Sequence, residues 1–127
     1  MSNGPNGKKS IMIVDDEPDI CAIMKTALDG NGYIISTFTN PVLALEHFKL
    51  DPEGFDVLIS DVRMPQMTGF ELARSVKSLN ADTKVVMMTA FEIMKSEFEK
   101  VLPSSSIDAF LTKPVSVATV KQTVEKL

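Results

Sequence analysis

Ile59-Ser60-Asp61-Val62-Arg63-Met64-Pro65 is the stretch whose reading decides the fold of this chain. The apolar run from Phe55 to Ile59 predicts a buried strand, and it delivers one carboxylate, Asp61, to the strand's end. A loop follows at once. Thr68-Gly69-Phe70-Glu71 is then a T-x-x-E capping box, so a helix starts at Thr68. Strand, acid, turn, helix is how an α/β protein presents a polar group at the rim of its sheet.

The same alternation extends in both directions. Ile11 to Val14 is a continuous apolar run ending in Asp15-Asp16. Such a run fits a strand covered on both faces or a turn of buried helix. Pro18 suits a first helical turn, and Ile20, Ile23, Met24, Ala27 and Leu28 follow at helical spacing until Gly30-Asn31-Gly32. Tyr33 to Phe38 is β-branched and aromatic but more polar than the other runs, which predicts an edge strand. Asn40-Pro41 caps a helix to about Leu50, with Leu45 and Phe48 on its apolar face. Asp51-Pro52-Glu53-Gly54 is a turn before the central run.

Beyond Thr68, Leu72, Val76 and Leu79 are expected to point inward. Lys84 to Met88 predicts a fourth strand ending at Thr89, and a helix is expected from about Phe91 to Leu102. Pro103 and three serines break it. Asp108 to Leu111 is a short fifth strand ending near Lys113-Pro114. With Ser116 as cap, Val117, Val120, Val124 and Leu127 fall on one helical face.

Five βα units predict a parallel sheet with helices on both faces and right-handed crossovers. In one small domain this is the flavodoxin-like (βα)5 three-layer sandwich, strand order 2-1-3-4-5. Ligands then bind outside the C-terminal strand ends, at the switch between strands 1 and 3.

Bulk composition narrows the function classes. The chain has 127 residues, 44% of them hydrophobic and 24% charged, enough for one domain with its own core. Residues 10–127 are taken as that domain, and the Gly/Asn/Pro-rich stretch 1–9 as a disordered leader or tag. No apolar run is long enough to span a membrane. A single cysteine, Cys21, cannot form an internal disulfide, which fits a reducing cytosol and a cytoplasmic protein. The net charge of −4 argues against nucleic acid as a direct partner, since phosphate binding needs clustered Lys and Arg.

The predicted topology brings the chemistry together. Asp15 and Asp16 follow strand 1, Asp61 follows strand 3, Thr89 follows strand 4 and Lys113 follows strand 5. Three carboxylates at one rim repel unless compensated. A hard divalent cation such as Mg2+ suits an all-oxygen set of this kind, and Lys113 adds a further positive charge. The set suits phosphoryl transfer to a carboxylate nucleophile. Asp61, between the other groups, is the candidate nucleophile, and Thr89 the candidate donor to the phosphoryl group.

Taken singly, each residue also has a plain structural reading. Asp15-Asp16 could be an N-cap pair, Asp61 a turn residue, Thr89 a cap, Lys113 a solvated lysine and Phe110 a core aromatic. His47 and Cys21 read as structural, and the methionines as core filling.

The spaced motifs resemble a known family. Asp15-Asp16, then D-x-x-M-P-x-M-x-G (Asp61, Met64, Pro65, Met67, Gly69), then Thr89-Ala90 and Lys113-Pro114 look like the receiver domain of two-component response regulators, the CheY-like family. The resemblance covers about Ser10 to Leu127. It implies that Asp61 becomes a 4-aspartylphosphate, with the phosphoryl group coming from a sensor histidine kinase or a phosphotransfer protein. It implies Mg2+ on Asp16, Asp61 and the backbone carbonyl of Arg63, with Asp15 acting through water. Thr89 and Lys113 would bind phosphoryl oxygens. Phe110 matches the family's switch aromatic, which turns inward as Thr89 moves. The Lys113-Pro114 bond would be cis.

The resemblance further implies a readout face for an output partner, formed by the helix over 91–102, the fifth strand and the last helix. Met94, Lys95, Phe98, Ala109, Val117 and Lys121 would lie on it. A phosphorylation-dependent homodimer through that face is common in the family. The chain would then be a signalling switch and not an enzyme, apart from supporting its own phosphorylation and slow autodephosphorylation. Phe91 and Arg63 stand where the family controls water access, and the bulk of Phe91 points to slow loss of the phosphoryl group.

Other function classes fit less well. A haloacid-dehalogenase-type phosphatase expects a second acid two residues after the nucleophile, where Arg63 stands. A flavodoxin-like electron carrier needs a Ser/Thr/Gly-rich phosphate loop after strand 1, where Asp15-Asp16 would repel the phosphate. A scaffold that works without phosphorylation is the remaining alternative, although every phosphorylation residue is present.

Overall fold

In this computed structural model the structure describes residues 9–90 and 107–127. The helix expected over 91–102, its serine-rich exit, and Phe91, Met94, Lys95 and Phe98 lie outside the described residues. The elements run β1 (Ser10–Val14), α1 (Pro18–Asp29), β2 (Ile34–Phe38), α2 (Pro41–Leu50), β3 (Val57–Asp61), α3 (Gly69–Leu79), β4 (Lys84–Thr89), β5 (Ala109–Thr112) and α4 (Val117–Glu125). All strand pairs are parallel, in the order β2-β1-β3-β4-β5. This is the expected flavodoxin-like topology, with its switch point between β1 and β3.

Period-two alternation sorts the apolar strand residues onto two faces. Ile11, Ile13, Val57, Ile59, Val86, Met88 and Leu111 pack with Cys21, Met24 and Leu28 of α1 and Val120 and Val124 of α4. Met12, Val14, Leu58, Val85 and Met87 pack on the other face with Phe48 of α2 and with Leu72, Ala73 and Val76 of α3. Both faces are covered, so the central strands read as unbroken apolar runs. Phe48, fully buried, is worth about 1.5–3 kcal/mol through removal of its ring from water.

Local signals set the helix starts. Asn40 Oδ1 accepts hydrogen bonds from the amides of Val42 and Leu43, ahead of Pro41 at the first turn of α2. Thr68 and Glu71 form the reciprocal capping box of α3. Ser116 Oγ accepts from Thr119 N at the start of α4. After α1 the chain turns with Gly32 at φ +80°, a conformation glycine adopts without penalty.

Several expectations need correction. β3 starts at Val57, because Asp56 is used differently: its Oδ2 accepts the amide of Ser10 at 2.9 Å. β2 starts at Ile34 and leaves Tyr33 before the strand. β5 lies one residue later than expected, since Asp108 Oδ2 accepts Val85 N at 2.7 Å and pairs with Lys77 Nζ at 3.0 Å. Ile23, Leu79 and Val117 match the helical period but lie at the margin of their apolar stripes, and all three are exposed.

Candidate functional site

The parallel strands end together, so the residues at their C-terminal ends meet at one rim. Asp15 follows β1 directly, Asp61 ends β3, Thr89 ends β4, and Lys113 follows β5. Carboxylate oxygens of Asp15, Asp16 and Asp61 all lie within 4.8 Å of one another. Lys113 Nζ reaches into this group, 2.8 Å from Asp15 Oδ2 and 3.5 Å from Asp61 Oδ2. Asp15 is fully buried, and Asp61 and Thr89 nearly so.

Each acid is held in its own way. Asp15 Oδ1 accepts the amide of Glu17 at 2.9 Å while Oδ2 takes Lys113, so both its oxygens are engaged. Asp61 Oδ1 accepts the amide of Val62 at 2.9 Å. Cys21 fills the space below, its Sγ 3.5 Å from the carbonyl oxygen of Asp15. Burial pushes the Cys21 thiol up, and the charge of Asp15 pushes it further.

Charge balance follows from these contacts. Burial raises the Asp61 carboxyl above the usual carboxylate range, and the Asp15 charge raises it further. The charge and hydrogen bond of Lys113 and the Val62 amide oppose this but do not cancel it. Burial alone would lower the Lys113 ammonium, yet its bond to Asp15 and the charges of Asp15 and Asp61 leave it raised. The cluster therefore holds three carboxylates against one ammonium. All donors are hard oxygens, the set that Mg2+ prefers and that a thiol- or imidazole-seeking metal does not.

The loop after Asp61 is shaped by its motif. Gly69 packs so closely on Asp61 that a Cβ there would run into the carbonyl oxygen of Asp61. Gly69 N donates to the carbonyl of Val62 at 2.8 Å, closing the loop. Between them, Gln66 has φ 73°, and Met67 N donates to the carbonyl of Pro65 at 2.8 Å. That is a γ-turn of the rare positive-φ kind, a backbone strain of the sort that collects beside functional sites.

The remaining predicted residues fall as follows. Thr89 stands opposite Thr112 in register, and its carbonyl oxygen accepts the amide of Lys113 at 2.6 Å. The Lys113-Pro114 bond is cis, as expected. Phe110 is half-buried on β5, opposite Met87, and packs on the α2/α3 side of the sheet. Arg63 lies two residues beyond the end of β3 and is exposed. His47, outside the acid cluster, sits on α2, 5.2 Å from the ring of Phe38 and 5.8 Å from that of Phe55. Sequence reasoning passed over Ser60, a fully buried hydroxyl between the end of the Phe55–Ile59 run and Asp61.

A cavity of about 470 Å³ opens at the opposite end of the strands, beside Lys9, Asp56, Asn80 and Lys84. Its Asp56, Asn80 and Thr83 side chains already bond to Ser10 N and to the carbonyls of Pro52 and Phe55. Charged side chains line the cavity as well, but the close grouping of carboxylate oxygens that could hold a metal ion lies, among the described residues, at the rim.

Known proteins share both the sequence and the fold. The profile of the response regulator receiver domain matches residues 11–125. The transcriptional regulatory protein ZraR of Klebsiella oxytoca is 34% identical over 105 residues, which cover 83% of this chain and 23% of that protein. The chain thus spans about a quarter of the length of the ZraR relatives it matches. The chemotaxis protein CheY4 of Vibrio cholerae superimposes with a TM-score of 0.82 at 29% identity, over 94% of this chain and 98% of its own. The response regulator TrrA of Thermotoga maritima, in complex with Mg2+-BeF, superimposes with a TM-score of 0.79 at 32% identity, over 93% of this chain and 97% of its own. With the order 2-1-3-4-5 and the acid cluster at its switch point, the chain belongs to the response regulator receiver domain family.

Proposed function

We propose that residues 10–127 work as one phosphorylation-controlled switch in which Asp61 accepts the phosphoryl group. The observation that carries this reading is the convergence of Asp15, Asp16 and Asp61 within 4.8 Å, joined by Lys113. A histidine kinase or phosphotransfer protein supplies the phosphoryl group. The Asp61 oxygen not held by Val62 attacks phosphorus, and the bond from phosphorus to the donor histidine nitrogen breaks with its electron pair on nitrogen.

Asp16, Asp61 and the backbone carbonyl of Arg63 would hold Mg2+ directly. Asp15, with both oxygens already engaged, would act through water. Bound there, Mg2+ supplies positive charge to the transferring oxygens and offsets the repulsion among the carboxylates. Lys113 moves its charge between Asp15 and the incoming phosphoryl oxygens. The Thr89 hydroxyl donates a hydrogen bond to the same group.

The phosphoryl group binds one arrangement of Thr89 and Phe110 better, so it raises that state's population. Ala109 on β5 and Val117 and Lys121 on α4 belong to the face that an output partner, or a second copy, would read. The chain turns over no substrate of its own beyond slow loss of its phosphoryl group. No described helix is long and apolar enough to cross a membrane, and we place the switch in the cytoplasm.

Incubation with Mg2+ and acetyl phosphate, followed by intact mass, tests this reading. One added phosphoryl group in the wild type, lost in Asp61→Asn and after chelation of Mg2+, is the expected result. An adduct that survives Asp61→Asn would overturn it.

A further inference from the structure

We propose that Ser60 is a positioning residue for phosphoryl transfer, acting through the peptide unit that joins Asp61 to Val62. The proposal rests on the acceptor reading of Asp61 and adds the group that fixes its carboxylate. Ser60 is fully buried on β3, among apolar residues of the α2/α3 face. A hydroxyl there needs a partner, and its Oγ donates to the carbonyl oxygen of Asp61 at 2.9 Å. Gly69 closes on the same oxygen from the α3 side.

A peptide unit is planar, so fixing its oxygen fixes the direction of its N–H. The N–H of this unit belongs to Val62. It lies 2.9 Å from Asp61 Oδ1 and 3.0 Å from the carbonyl oxygen of Met88. The Ser60 hydroxyl at one end of the plane thus governs the hydrogen bond to the carboxylate at the other. That bond ties down Oδ1 and leaves Oδ2, 3.5 Å from Lys113 Nζ, as the oxygen presented for transfer. Ser60 touches neither the cation site nor the phosphoryl group. Its effect passes through the backbone alone.

The test compares wild type, Ser60→Ala and Ser60→Thr, and needs two readouts. The Val62 amide is followed by 1H–15N NMR without Mg2+ or donor. Phosphoryl uptake is timed at saturating acetyl phosphate with Mg2+. In Ser60→Ala the Val62 amide proton moves upfield, and uptake slows roughly three- to tenfold, the size expected from one net buried hydrogen bond. Ser60→Thr keeps the hydroxyl and restores both. Ser60→Cys, a weaker donor of similar shape, takes the place of the alanine variant if that variant does not fold.

A Val62 amide unmoved in Ser60→Ala overturns the proposal whatever the rate. A moved amide with an unchanged rate overturns it as well. So does a loss of rate that Ser60→Thr fails to restore. If the wild type takes up no phosphoryl group, the acceptor reading fails, and the amide still decides whether Ser60 holds the peptide.

Discussion

Burial raises the Asp61 carboxyl, the Asp15 charge raises it further, and Lys113 and the Val62 amide recover only part of that cost. A carboxyl raised on folding stabilises the fold fully below its unfolded value, and that contribution is lost as pH rises through the folded value. Ionised Asp61 is therefore a charge that the fold tolerates at a cost in stability. Asp61→Asn should raise the stability of the metal-free domain by roughly 1 kcal/mol, as relief of strained functional groups commonly does. Urea titration at pH 7 measures it. The gain should shrink as the solution is acidified toward the ordinary carboxylate range, and shrink when Mg2+ is added to the wild type. Equal stabilities at pH 7 without Mg2+ would show that Asp61 is not under electrostatic strain. The acids themselves were legible in sequence, because each ends an apolar run. The preference of Lys113 for Asp15 over Asp61 was not, since it joins positions 98 residues apart and depends on how the β1 and β5 rims align.

At the scale of elements, α3 must start against the end of β3, and Gly69 sets how close the two can come. Alanine is the better helix former by about 1 kcal/mol in an ordinary helix interior. Here its Cβ would strike the carbonyl of Asp61. Gly69→Ala should instead cost about 1–3 kcal/mol, the usual cost of overpacking, read as a lower urea midpoint. A stability equal to or above wild type would mean that the loop yields without strain. The sequence showed these elements through the capping box, the Asn40-Pro41 start and the apolar runs. It placed strand starts less well. An apolar run marks burial, and Phe55 is buried although it precedes the ladder. Helical period likewise marked Ile23, Leu79 and Val117 as inward, but the stripe each helix buries is narrower than its apolar set. The γ-turn at Gln66 left no signal, because glutamine is not a residue that announces positive φ.

Across the whole molecule, the chemistry is a product of topology. The acids of β1 and β3 meet because those strands are neighbours at the switch point, and β4 and β5 add Thr89 and Lys113 from the other side. Two apolar layers hold that rim in place, with α1 and α4 under one face and α2 and α3 under the other. This much followed from alternation and spacing, and the family match agrees with it. The central claim is that Asp61, and not its neighbours, carries the phosphoryl group. Reduction with borohydride after treatment with acetyl phosphate and Mg2+ tests it most directly, since an aspartyl phosphate is reduced to homoserine. Peptide mass spectrometry should then find homoserine at position 61. Homoserine at position 15 or 16, with Asp61 unchanged, would contradict the account.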